Sequence, residues 1–182
     1  EQQCYTNRPE NAYVDNGVLY IVARKETFTG PALHEDAPDF SPHQRKTLPY
    51  TSARLRSKGK GDWLYGRFEI RAKLPKGQGS WPAIWMLPTD WQYGPWPLSG
   101  EIDIMEAVNL KTVNAEGVAE ANVHGTLHYG RDFPNNESSG KAYLLPDDIN
   151  PADDFHTYAI EWQEGEIRWY VDGYLYQTQR AS

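Results

Sequence analysis

The stretch "TYAIEWQEGEIRWYVDGYLYQT", Thr157–Thr178, reads as three short strands. It is dense in Tyr, Ile, Trp and Val, which fit a pleated, half-buried surface. Turns at Glu164-Gly165 and Asp172-Gly173 divide it. An Asp-Gly pair between apolar runs favours a two-residue hairpin, because its positive φ angles match the twist of the flanking strands.

The same grammar recurs upstream. "YGRFEIRAKL", Tyr65–Leu74, alternates throughout: Phe68, Ile70, Ala72 and Leu74 share one face, and Arg67, Glu69, Arg71 and Lys73 share the other. "GVLYIVARKE", Gly17–Glu26, follows an Asp15-Asn16-Gly17 turn and reads as a strand. No window holds a 3.6-residue period over a helical length. The nearest candidate, Asp147–Phe155, is interrupted by Pro151. The polar stretch Thr27–Pro49 reads as a surface loop. Many short strands with frequent Gly, Asn and Pro turns predict an all-β antiparallel sandwich or barrel.

Such domains run to about 200–250 residues. The 182 residues here predict a single domain, 1–182, incomplete at both ends. The opening "EQQCYTN" lacks Met and the chain stops at "QTQRAS". If nothing else completed the fold it would leave strand edges unpaired, so a complementary segment is expected.

The net charge of −7 disfavours nucleic acid and anionic polymers, whose capture relies on Lys and Arg. A neutral partner fits best. No apolar run approaches 18 residues, so no membrane partner is expected. The single Cys4 cannot form an internal disulfide and leaves the compartment unread.

The chemistry concentrates in "SGEIDIMEAVN", Ser99–Asn109, where Glu101, Asp103 and Glu106 fall within six residues of an apolar segment. On a strand Glu101 and Asp103 share a face, with Ile102 and Ile104 on the other. Strict alternation would turn Glu106 inward. A β-bulge at Ile104-Met105 would reset the phase and return it to the acids. Like charges this close raise each other's pKa, so packing gives no reason to gather them.

Three readings compete. Glycoside hydrolysis uses one ionised carboxylate as nucleophile and one protonated carboxyl as acid, roughly 5–5.5 Å apart in a retaining enzyme. Asp103 would sit between them and tune both. A calcium site would need 6–8 oxygens, which a stiff strand beside Ile and Met supplies poorly. A solvated polar face is the plain alternative. Five residues of extended strand separate Cα atoms by roughly 16 Å, a gap that the bulge and two leaning side chains must close.

A polysaccharide cleft also needs flat platforms. "GSWPAIWMLP" carries Trp81 and Trp85, on one face of a strand, and Trp96 lies five residues before Glu101 in a Gly-Pro-rich loop. Indoles stack on apolar sugar faces or pack a core, and both readings stand for Trp81 and Trp85. "ANVHGTLHYG" puts His124, Thr126 and His128 on one strand face. Either His could bind sugar hydroxyls or tune the acid, His128 being the stronger candidate, or simply be structural. A zinc ion cannot bridge them across roughly 13 Å of strand. Glu69, Arg71 and Arg54 are candidate cleft residues or solvated charges.

With these residues in view, "GEIDIMEAVN" closely resembles the active-site signature of glycoside hydrolase family 16, in its laminarinase-type branch. "YTNRPENAYVDNGVLYIVARKE", "YTSARLRS", "WLYGRFEIRAKLPKGQGSWPAIWMLP", "VHGTLHYG" and "FHTYAIEWQEGEIRWYVDGYLYQT" resemble further segments of these enzymes in the right order. The resemblance implies a concanavalin-like β-jelly roll of two curved antiparallel sheets. It implies Glu101 as nucleophile, Asp103 as assisting acid and Glu106 as general acid/base, in endo-hydrolysis with retention through a glycosyl–enzyme intermediate. Trp81, Trp85, Trp96, His128, Arg54, Glu69 and Arg71 are then the candidate substrate-binding residues.

The two-residue gap Ile104-Met105 resembles the bulged form of laminarinases, agarases and carrageenases rather than that of lichenases. The implied substrate is β-1,3-glucan (laminarin) or mixed β-1,3/1,4-glucan, and the implied location is extracellular, as a secreted protein. No cofactor is implied for catalysis. The resemblance admits a structural calcium ion, but no metal ligand can be carried over onto this sequence. The rival readings are an agarase-like or transglycosylating relative, and a non-catalytic β-glucan recognition protein, which typically lacks the Glu pair.

Overall fold

A computed structural model of the chain describes residues 2–33, 37 and 39–181. The described residues contain strands and turns but no helix. At Asp147 and Asp148, in the nearest helical candidate, the backbone takes φ of 57° and 56°, which an α-helix excludes. The chain packs as two compact units, residues 1–57 and 58–182.

The first unit holds β1 (Gln3–Tyr5), β2 (Ala12–Asp15), β3 (Val18–Ile21), β4 (Arg24–Pro31) and β5 (Arg45–Ser52). Strands β2 and β3 form a hairpin around Asn16 and Gly17, at φ 48° and 78°. This is the primed turn that the Asp-Asn-Gly sequence predicts. Strand β5 runs between β4, antiparallel, and β1, parallel.

The surface-loop expectation for Thr27–Pro49 is therefore corrected at both flanks. Residues 27–31 lie in β4 and residues 45–49 in β5. Threonines at alternate positions carry this ladder, with Thr29 and Thr47 hydroxyls 2.7 Å apart. Polar β-branched residues suit an exposed strand face, so polarity alone misled. Part of the intervening connection, residues 34–36 and 38, lies outside the described residues.

The second unit holds β6 (Gly66–Ala72), β7 (Ala83–Met86), β8 (Glu101–Glu106), β9 (Val123–Gly130), β10 (Asn136–Tyr143), β11 (His156–Gln163), β12 (Glu166–Val171) and β13 (Tyr174–Arg180). They form two antiparallel four-stranded sheets, ordered β10-β9-β8-β7 and β13-β12-β11-β6. The hairpin β12–β13 turns at Asp172 and Gly173, φ 48° and 78°.

The two sheets face each other across one core. Ile104 and Met105 of the first meet Ile160, Trp169, Val171 and Tyr176 of the second. Phe68, Ile70 and Ala72 lean on the same cluster, as the alternation of their strand predicts. Burying each large apolar side chain contributes about 1.5–3 kcal/mol, so this cluster dominates the unit's cohesion. The core thereby takes up the inner face of the β8 sheet.

Candidate active site

The bulge on β8 is present at the expected place. Asp103 pairs with Thr126 and Glu106 with His124, so three steps on β8 match two on β9. Against β7, Ile84 pairs with Met105 and Trp85 with Asp103, again with one residue extra. Ile104 and Met105 are consecutive, yet both are buried, at 5% and 1% exposure. The inserted residue is absorbed into the core, and Glu101, Asp103 and Glu106 come out on one face.

Each acid meets its own neighbours. Glu101 accepts a hydrogen bond from Trp96 Nε1. Glu106 Oε1 accepts one from Trp81 Nε1 at 2.8 Å. Asp103, 1% exposed, lies between them. His128, opposite Glu101 on β9, brings Nε2 to 3.2 Å from Asp103 Oδ2.

Apart from this contact with His128, neither oxygen of Asp103 has a hydrogen-bond partner. A proton on Asp103 would meet Glu101. Burial pushes its pKa up to about 8, aided by the charges of Glu101 and Glu106 and by the bond to Glu101. A protonated acid between two carboxylates spares the strand one of three clustered charges.

Local structure fixes the two indoles. Residues 80–82 extend the β7–β8 pairing: Ala107 N–H donates to Pro82 and Asn109 N–H to Ser80. Trp81 therefore stands beside Glu106, 68% exposed. That exposure excludes core packing for this side chain. Trp85 shares the outer face with its ladder partner Asp103, between the inward Ile84 and Met86. Trp96 rides on a loop closed by its own turn bonds, Leu98 to Pro95 and Gly100 to Pro97. Its ring packs 5.9 Å from His128 and 6.0 Å from Phe133.

Two candidates lie elsewhere. Glu69 and Arg71 are on the outward face of β6, in the opposite sheet, so the core separates them from the acids. Glu69 pairs with Arg67, and Arg71 caps the Phe155 ring at 4.6 Å. Both are corrected to solvated surface charges. Arg54 follows β5, in the first unit.

Asp103, Glu106 and His128 offer ligand atoms within 4.8 Å of one another. The set fits a metal poorly. Calcium wants 6–8 oxygens, and burial beside two other acids pushes the pKa of the innermost carboxyl up to about 8. The arrangement instead supplies what acid–base work at a sugar bond requires: two outer carboxyls, a buried acid between them and aromatic faces on either side.

The profile of Glycosyl hydrolases family 16 matches residues 1–182. The chain belongs to this family. It is 46% identical over 180 residues to a beta-glucanase of Rhodothermus marinus, covering 97% of this chain and 53% of that protein. It is 42% identical over 173 residues to glucan endo-1,3-beta-glucosidase A1 of Niallia circulans, covering 95% of this chain and 23% of that one. The laminarinase catalytic domain of Thermotoga maritima superposes with a TM-score of 0.76 at 42% identity, over 99% of this chain and 62% of that structure. The family 16 chain thus spans from about a quarter to three fifths of these relatives.

One contact escapes sequence reading. Trp169 on β12, wholly buried, donates from Nε1 to the backbone oxygen of Asp103 at 2.8 Å. The only hint is Gly125 inside β9, since a strand glycine marks a close approach. A Cβ there would lie 2.4 Å from the Trp169 ring.

Proposed function

We propose that the protein carrying this chain is a secreted endo-acting glycoside hydrolase that cleaves β-1,3-glucan, or mixed β-1,3/1,4-glucan, with retention. The observation that carries this reading is the bulge, which gathers Glu101, Asp103 and Glu106 on one outer face. The net charge of −7 suits a neutral glucan, and the relatives' names point to the same substrate class.

In this reading Glu101 attacks the anomeric carbon while Glu106 gives its proton to the departing glycosidic oxygen. The C–O bond breaks and a glycosyl ester forms on Glu101. Glu106, now ionised, takes a proton from water as that water attacks the same carbon, releasing Glu101. Asp103 keeps its proton throughout and donates to Glu101, which orients the nucleophile without adding charge. Trp81, Trp85 and Trp96 supply flat faces for the sugar rings. No step calls on a cofactor, so activity is expected to survive EDTA. A structural calcium ion would instead show as a lowered melting temperature. A polymeric glucan does not cross membranes, which supports action outside the cell.

The test is reducing-end release from laminarin, lichenan, agarose and carrageenan side by side, with NMR of the first-formed anomer. Laminarin should be cut first, with the β-anomer appearing before mutarotation. Binding to laminarin with unchanged polymer length would instead indicate a recognition protein, and an α-anomer would defeat the assigned roles.

A further inference from the structure

The two indoles do more than present flat faces. Each spends its single polar hydrogen on a different outer carboxyl: Trp81 on Glu106 Oε1 and Trp96 on Glu101 Oε2. They come from separate segments, one extending the β7–β8 pairing and the other in the loop before β8. An indole N–H donates and never accepts. The oxygen it meets therefore cannot carry a proton pointed at it.

We propose that Trp81 and Trp96 are positioning residues that divide the labour within each carboxyl. Trp81 holds Glu106 by Oε1, leaving Oε2 to carry the transferable proton. Trp96 holds Glu101 by Oε2, leaving Oε1 as the attacking atom. Trp81 supports this most directly. Its ring is 68% exposed and not fixed by a core, yet its nitrogen is committed to Glu106. The inference rests on the glucanase reading for its consequences in catalysis, but not for the pairing itself.

The pairing predicts which chemical step each indole supports. Glu106 must protonate the departing oxygen, so Trp81→Phe should lose more kcat/KM on laminarin than on an aryl β-laminarioligoside, whose leaving group needs little protonation. Glu101 attacks in both reactions, so Trp96→Phe should lose kcat/KM on both substrates alike.

The experiment measures kcat/KM on laminarin and on an aryl β-laminarioligoside for wild type, Trp81→Phe and Trp96→Phe in the full-length protein. In parallel, ¹H–¹⁵N NMR follows the indole resonances of wild type, Glu101→Gln and Glu106→Gln. Glu106→Gln should move the Trp81 resonance and spare Trp96, and Glu101→Gln should do the reverse. Equal losses on both substrates in Trp81→Phe would overturn the proposal and leave only a stacking role. Indole resonances indifferent to both glutamines would overturn it as well, without reference to activity. A wild type inactive on all glucans would sink the glucanase reading, while the resonances would still decide the pairing.

Discussion

Trp169 of one sheet donates its indole hydrogen to the main-chain oxygen of Asp103 in the other, at 2.8 Å. A strand carbonyl ordinarily points along the sheet toward its ladder partner. An indole from the facing layer reaches it only where the carbonyl leaves the ladder, and the extra residue of β8 lies at that point. The core of the sandwich is thus bonded directly to the turn of backbone that presents the acids. Trp169→Phe should cost about 1–3 kcal/mol, the penalty of a buried acceptor left without its donor. Denaturant unfolding would measure that cost. Glucan hydrolysis assayed well below the unfolding transition should fall as well, because the bulge loses its anchor. Gly125→Ala reaches the same point from β9. Its added carbon would sit 2.4 Å from the Trp169 ring, and overpacking of this kind costs about 1–3 kcal/mol.

Asp103 gives stability a pH dependence of unusual sign. Its folded pKa is pushed up to about 8, above the ordinary 3.8. Between these values the folded chain holds a proton that the unfolded chain has lost, so stability falls as pH rises. The contribution is fully present below about pH 4 and lost through pH 8. Asp103→Asn keeps the shape and removes the titration. The unfolding free energy of wild type minus that of Asp103→Asn, from denaturant curves at pH 4 to 8, should decrease steadily with pH. A flat difference would show that Asp103 is ionised in the folded state.

Much of this site is legible from side-chain alternation. A period of two fixed which face each residue takes, so the break at Ile104-Met105 announced the bulge. The same rule placed Phe68, Ile70 and Ala72 inward. It could not say which sheet a strand joins. Glu69 and Arg71 have the polar-face signature of a cleft strand, yet β6 joins the sheet across the core. Trp169 was visible only as a strand residue, because its partner is 66 residues away and is a backbone atom. Trp81 could be core or surface until its neighbours 107–109 were known.

The roles of the two outer acids can be separated with azide. Alanine at either Glu101 or Glu106 should cut turnover by about 10²–10⁴-fold or more, the scale of a lost acid or base. On a substrate with a good leaving group, Glu106→Ala still forms the glycosyl ester but lacks a base to activate water. Azide needs no base and attacks from the face opposite Glu101, so it should restore the rate and give a β-glycosyl azide. In Glu101→Ala the small anion fills the vacated space and attacks directly, giving the α-azide. NMR of the products distinguishes the two. The opposite pairing of variant and anomer would exchange the assignments.

The bulge itself can be tested by shortening β8. Deleting Met105 leaves Glu-Ile-Asp-Ile-Glu, a regular alternation with all three acids on one face. Ile104 would then lie opposite Gly125 and the ladder with β9 would close without a shift. Met105 is 1% exposed, so its loss should cost about 2–5 kcal/mol. The acids, however, keep their side of the sheet, and measurable hydrolysis of laminarin is expected. Deleting Ile104 and Met105 together leaves Glu-Ile-Asp-Glu, which turns the last acid toward the core. Burial of an uncompensated carboxylate is costly, so this variant should lose both cooperative unfolding and all activity. The contrast isolates face from length: a single deletion as inactive as the double one, while still folded by circular dichroism, would mean that the axial distance between the glutamates matters more than the side they share.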